Sequence, residues 1–160
     1  SDAELRLGTR VGVAAASERA GFDVVLPHDP VVEGLRPAVY FDPAIGESGM
    51  VSLVYPEDAR TASEARLLVT QFIGSVDDAF FKKVEVPGGK ISAAQVGSER
   101  GYWVSGEPHL IYYMDESFDI REETVRLAGN VLLWDRDGVT YRIEGAESLR
   151  EALRIARSLR

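Results

Sequence analysis

The chain has no cysteine. That absence excludes disulfide staples, thiol nucleophiles and thiolate metal ligands, and leaves the redox compartment open. Histidine is scarce as well. His28 and His109 are the two present, and neither belongs to a spacing such as His-Glu-x-x-His that would hold a catalytic metal. No apolar run approaches the roughly 18 residues a membrane-spanning helix needs. The strongest, around Leu67-Leu68-Val69, is broken by Thr70-Gln71. Positive charge is in deficit, with 18 Lys and Arg against 26 Asp and Glu, a net charge of −8 and a pI near 4.8. An acidic surface repels phosphate backbones and anionic headgroups, so nucleic-acid binding and direct lipid docking are disfavoured and the charge reads as solubility.

What remains is a globular composition. The 160 residues are 45% hydrophobic and 28% charged, enough for one domain with a real core and too apolar for disorder. Val11 to Ala20 reads as a short helix that Thr9 can cap, with Gly21 placed for a left-handed C-terminal cap. Phe22 to Leu26 reads as extended, and Pro27 to Pro30 as a linker. Strands are expected over Leu35–Phe41, Met50–Tyr55 and Ala65–Ile73, separated by segments rich in Gly, Pro, Ser and acidic residues. Ser75 to Lys83 reads as a short helical or irregular passage. Lys90–Val96, Tyr102–Ser105 and His109–Met114 read as further short strands, whose brief connections imply antiparallel neighbours. Asp115 to Thr124 reads as an exposed acidic loop.

The most informative stretch is Asn130 to Glu144, two strand-like runs around Asp137-Gly138, the pair a type I′ turn requires. A two-residue turn there sets Trp134 opposite Tyr141, Leu133 opposite Arg142 and Leu132 opposite Ile143. Alternation then places Leu132, Trp134, Tyr141 and Ile143 on one apolar face, expected in the core. Val131, Leu133, Arg142 and Glu144 fall on the other, expected to be more exposed. The last element is an amphipathic helix with Ser148 and Glu151 at capping-box spacing. Its apolar stripe is Leu149, Ala152, Leu153, Ala156 and Leu159, with Ile155 at the edge. Arg154 and Arg157 lie on the solvent side.

Several patterns touch on chemistry without completing it. Ser105 with His109 four residues on lacks the strand-to-helix Gly-x-Ser-x-Gly elbow of a serine hydrolase. Pro87-Gly88-Gly89-Lys90 lacks the helix and the Ser or Thr of a phosphate loop. Asp135-x-Asp137-Gly138 begins like a calcium loop but has no closing Glu. The carboxylates of residues 115–123 (Asp115, Glu116, Asp119, Glu122, Glu123) could hold a hard cation, although a solvated loop is the plainer reading. Tyr102, Trp103, Tyr112 and Tyr113, with His109 beside them, form an aromatic group on what read as two adjacent strands. Where it is not core, it is the candidate partner or ligand surface. No catalytic residue, cofactor or metal site emerges.

The segments Gly101-Tyr102-Trp103-Val104-Ser105-Gly106-Glu107-Pro108-His109, Leu127-Ala128-Gly129-Asn130-Val131-Leu132-Leu133-Trp134, Gly138 to Gly145 and Ala152 to Leu159 carry a resemblance, as does the opening helix running into Ala20-Gly21-Phe22-Asp23-Val24-Val25-Leu26-Pro27. Together they resemble an uncharacterised bacterial family found as the extracytoplasmic C-terminal domain of single-span membrane proteins, many of them similar to anti-sigma factors. The resemblance implies a location outside the cytoplasm, a membrane anchor upstream and no catalytic residues. The chain opens Ser1-Asp2-Ala3-Glu4 without a Met, which suits a fragment of such a protein.

The expectation is therefore an α+β domain over 1–160, a curved antiparallel sheet with helices from both ends of the chain packed on it. Its expected role is non-catalytic sensing or binding for a membrane-attached regulator, with an unknown protein or small ligand as partner. A small-molecule or lipid carrier is the alternative, and a Ser105–His109 hydrolase a distant third. The hairpin register carries the prediction that Trp134→Ala costs about 3–5 kcal/mol in denaturant unfolding; an unchanged unfolding curve would show the register to be wrong.

Overall fold

The computed structural model describes residues 7–57, 65–74, 89–106, 112–114, 120–122 and 129–160. The described strands form an open eight-stranded sheet in which every neighbouring pair is antiparallel. The strands are β1 (Thr9–Val11), β2 (Ala38–Asp42), β3 (Met50–Pro56), β4 (Ala65–Ile73), β5 (Gly89–Val96), β6 (Glu99–Gly106), β9 (Val131–Arg136) and β10 (Val139–Glu144). Their spatial order is β1-β2-β3-β4-β10-β9-β6-β5. A second sheet pairs β7 (Tyr112–Met114) with β8 (Ile120–Glu122). The helices are α1 (Val13–Ala20) and α2 (Leu149–Ser158). The antiparallel α+β class expected from the sequence is the class observed.

The hairpin has the register its turn residues demand, with Trp134 opposite Tyr141, Leu133 opposite Arg142 and Leu132 opposite Ile143. Asp137 and Gly138 both take positive φ, 52° and 80°, as a type I′ turn requires. The Trp134 and Tyr141 rings stack with centroids 5.3 Å apart and planes 15° apart. Trp134 is buried and sits opposite Gly101 of β6. A Cβ at Gly101 would lie 2.5 Å from the Leu133 carbonyl oxygen and 3.1 Å from the Trp134 Cβ. Gly101, which reads in sequence as part of a turn, is thus a strand residue whose missing side chain lets the backbone of β9 approach closely.

One face of the sheet carries the main core. Val39, Leu53, Val69, Ile143, Leu132, Trp134 and Trp103 pack there against Ala16 and Ala20 of α1 and Ala152, Ile155 and Ala156 of α2. α1 lies on β2 and β3, and α2 on β9 and β5. Ile155 is fully buried, so the α2 stripe is centred one position round from where the leucines suggested. Tyr55 sits in this core, and burial pushes its phenol up to about 12.

Between the helices the extended stretch from Phe22 to Leu26 crosses the sheet without joining its ladder. Gln71 of β4, fully buried, holds it by imitating a strand partner: its Nε2 donates to the Val25 carbonyl at 2.8 Å, and its Oε1 accepts from the Val25 N–H at 3.0 Å. The stretch then exchanges two backbone hydrogen bonds with the C-terminal residue, Leu26 N–H to the Arg160 carbonyl at 3.0 Å and Arg160 N–H to the Leu26 carbonyl at 3.1 Å. His28 is exposed and its N–H donates to Ser158 Oγ at 3.0 Å, a purely structural contact.

Other sequence expectations shift as well. Thr9 does not cap α1; it belongs to β1, whose backbone pairs with β2, and Gly12 is the N-cap without a side-chain bond. The strand expected from Leu35 begins at Ala38, because Pro37 has no N–H for the ladder and the Leu35 N–H closes a turn onto the Val32 carbonyl. Ser148 does cap α2, accepting from Glu151 N–H at 3.1 Å, but the Glu151 carboxylate reaches Glu147 N–H (3.2 Å) and Arg66 of β4 (3.1 Å).

Arg154, expected to be merely solvated, grips Asp29 with two hydrogen bonds, Nε to Oδ2 at 2.7 Å and Nη2 to Oδ1 at 3.2 Å. Asp29 is buried and also caps the 3₁₀ turn Pro30–Val32 by accepting from Val31 N–H at 3.0 Å. Burial alone would raise its carboxyl. The hydrogen bonds from Arg154 and Val31 and the guanidinium charge outweigh that and hold it below the usual carboxylate value. A depressed native value means that Asp29 adds stability above the unfolded carboxyl value of about 3.9 and loses it as pH falls through the native value. Asp29→Asn should therefore be less stable than wild type at pH 7, and the gap should close as acid is added below about pH 4. A gap that is constant with pH in denaturant titrations would refute the linkage.

Candidate functional site

The face of the sheet turned away from α1 and α2 holds the arrangement that stands out. Val131, Leu133, Arg142 and Glu144, expected to be more exposed, are all buried. The reason is strand order: β10 lies between β4 and β9 in mid-sheet, where both faces are covered, and a hairpin considered alone carries no sign of that. On this second face Ser52 of β3 stands opposite Thr70 of β4, and Thr70 opposite Arg142 of β10. Thr140 and Glu144 flank Arg142 two residues away on either side along β10, on the same face. Directly opposite residues have Cβ atoms about 5 Å apart, so these five side chains form one polar patch.

Its frame is apolar. Met50 packs with Phe72 at one end, Val54 with Leu68 at the other, and Val131 with Leu133 alongside. Arg142 and Glu144 form an ion pair within it, at 2% and 9% side-chain exposure. Two buried charges recover little net stability even when paired. Ser52 and Thr140 are 0% exposed, and among the described residues their hydroxyls have no hydrogen-bond partner. A buried hydroxyl left unsatisfied costs about 1–3 kcal/mol. Two of them beside an ion pair supply donors, acceptors and both signs of charge to a polar group placed there.

The geometry does not assemble a nucleophile with its base from these residues. Ser52 and Glu144 are separated by β4, about 10 Å across two strand spacings, and by a further step along the strands. Among the described residues no group of three or more His, Asp or Glu side chains could hold a metal ion. No helix among them is long and apolar enough to cross a membrane.

The aromatic group read from sequence is divided. Trp103 is buried in the helix-side core, opposite Leu132, while Tyr102 is half-buried on the second face, opposite Leu133. Both edges of β6 are taken, by β5 and β9, so β7 is not its ladder neighbour. Tyr112 and Tyr113 belong to β7 and pair with Glu122 and Arg121 of β8. His109 lies outside the described residues, as do Asp115, Glu116, Asp119 and Glu123 of the acidic loop. Ser105 is half-buried in β6 opposite Lys90, which opens a strand and not a phosphate-binding helix.

Sequence reasoning missed the polar patch although half of its signal was present. Met50-Ser52-Val54, Leu68-Thr70-Phe72 and Thr140-Arg142-Glu144 each place a polar residue at one parity of a strand-like run. What was missing is that the three central positions meet, which depends on a pairing between residues some seventy positions apart. No family model, no characterised protein and no solved structure matches the chain.

Replacing the Thr140 hydroxyl by a methyl should remove an unsatisfied buried group at almost constant shape. Thr140→Val is expected to raise the unfolding free energy by about 1 kcal/mol or more in denaturant titrations. A clear loss of stability would mean that the hydroxyl is satisfied in solution.

Proposed function

We propose that this chain is a non-catalytic binding domain of a membrane-attached bacterial regulator similar to anti-sigma factors, positioned outside the cytoplasm, with the polar group buried on the second sheet face as the site that reads its ligand or partner. The observation that carries the binding role is the pair of fully buried, unsatisfied hydroxyls of Ser52 and Thr140 beside the Arg142–Glu144 ion pair. A scaffold needs no such patch, and apolar residues there would hold the sheet together better. A binding surface does need it, because polar groups that are costly when empty favour the occupied state. Location and attachment rest on the family resemblance of the Gly101–His109, Leu127–Trp134 and Ala152–Leu159 segments. Signalling would follow from occupancy shifting the balance between two arrangements of the domain relative to its anchor.

The test is carried out on the full-length protein in a bacterial host. The domain is expected to be cut by protease added to intact spheroplasts. Ser52→Ala and Thr140→Val should change the output of the regulated promoter while protein level and membrane attachment stay constant. A domain protected from external protease, or an output indifferent to both variants, would count against the reading.

The same patch also fits a carrier of a small polar molecule. A carrier would leave the cell extract with a stoichiometric small molecule bound, visible by native mass spectrometry and lost in Thr140→Val.

A further inference from the structure

The two edges of the eight-stranded sheet are built differently. β1 has three residues, is flanked by Gly8 and Gly12, and carries Arg10 at its centre. Shortness and charge are how natural sheets keep an edge from recruiting another strand. β5 has neither protection. It is eight residues long, contains no proline, and carries one charge, Lys90, at its start. It has no outer neighbour among the described residues. Its second-face side chains, Ile91, Ala93 and Gln95, are exposed, and Ile91 at 39% is the one large apolar side chain so exposed among the described residues. Behind it Val104 and Tyr102 of β6 are half-buried, which extends the apolar strip inward. α2 packs on the opposite face of the strand, so no described helix covers this strip.

We propose that β5 pairs antiparallel with β5 of a second copy of this chain, joining the two sheets across a twofold axis at Ala93. The register follows from chemistry. Antiparallel pairing about a residue sets Ala93 against Ala93 of the second copy, Ile91 against Gln95, Ser92 against Ala94 and Lys90 against Val96. Small side chains meet at the axis, Ile91 lies along the aliphatic part of Gln95, and no like charges face each other. The chain as a whole carries a net charge of −8, which resists association elsewhere on its surface. β5 itself has no acidic residue to add to that resistance. Neither the functional reading nor the ligand enters this inference.

Sedimentation velocity of the whole chain tests it. Wild type is expected to pass from monomer to dimer between about 5 and 200 µM, the range of a modest interface. Ala93→Asp sets two carboxylates face to face at the axis and should raise the dimer dissociation constant at least about tenfold. Ile91→Lys should weaken it too. Both side chains are exposed, so the circular dichroism and melting of the monomer should not change. The absence of cysteine gives a direct check of register, since Ala93→Cys would be the only thiol. Residues opposite each other in an antiparallel pair have Cα atoms about 4.5–5.5 Å apart, within disulfide range, so mild oxidation should give a covalent dimer. A wild type still monomeric at about 200 µM, a dimer insensitive to Ala93→Asp, or Ala93→Cys that stays monomeric under oxidation would overturn the proposal. Monomers that instead bind an unrelated extended peptide at this edge would do so as well.

Discussion

The pairing of β10 with β4 is the joint on which the molecule depends. It links the strands of the first half of the chain, β1 to β4, to those of the second, and it runs from Val139 opposite Ile73 to Glu144 opposite Leu68 without a break. Without it the sheet would separate into two four-stranded halves, β1-β2-β3-β4 and β10-β9-β6-β5. With it, Ile143 is brought beside Val69 in the helix-side core, and Arg142 beside Thr70 on the other face. One register therefore places the largest core residues and the polar patch together, and slipping it by a single residue would exchange the two faces.

Around this joint the crossing stretch and the C-terminal residue are tied down by side-chain and backbone hydrogen bonds. Gln71 completes the hydrogen bonding of Val25, Arg154 and Val31 share Asp29, and Leu26 pairs with Arg160. These contacts span up to 134 positions between Leu26 and Arg160 and hold α2, the 3₁₀ turn and the extended crossing stretch as one cover over the core. An antiparallel sheet usually leaves one face to water. Here one face is closed by helices and crossing chain, and the other is buried around a group of polar residues.

That contrast gives the functional reading its physical content. The helix-side face is filled mainly by aliphatic and aromatic side chains, among them Trp134, against which the partly buried Tyr141 stacks. The second face sets Ser52, Thr70, Thr140, Arg142 and Glu144 inside an apolar frame, where each polar atom is expensive unless it is used. Binding sites combine these features, an apolar enclosure with a few converging polar groups. Residues that reduce stability without contributing to packing are where function is to be sought.

Local chemistry was legible in the sequence. Asp137-Gly138 dictated the turn and with it every cross-strand pair of the hairpin, Ser148 dictated the start of α2, and the alternation of Met50 to Tyr55 and Ala65 to Ile73 dictated strands. These are decided within a few residues by allowed dihedrals, capping and period. The burial of Arg142 and Glu144 and the separation of Trp103 from Tyr112 and Tyr113 were decided by strand order, and the use of Gln71 and Asp29 as ties by how the crossing stretch and α2 lie on the sheet. Strand order is set by contacts between distant segments, and a side chain's alternation says which of two faces it takes but not what lies over that face.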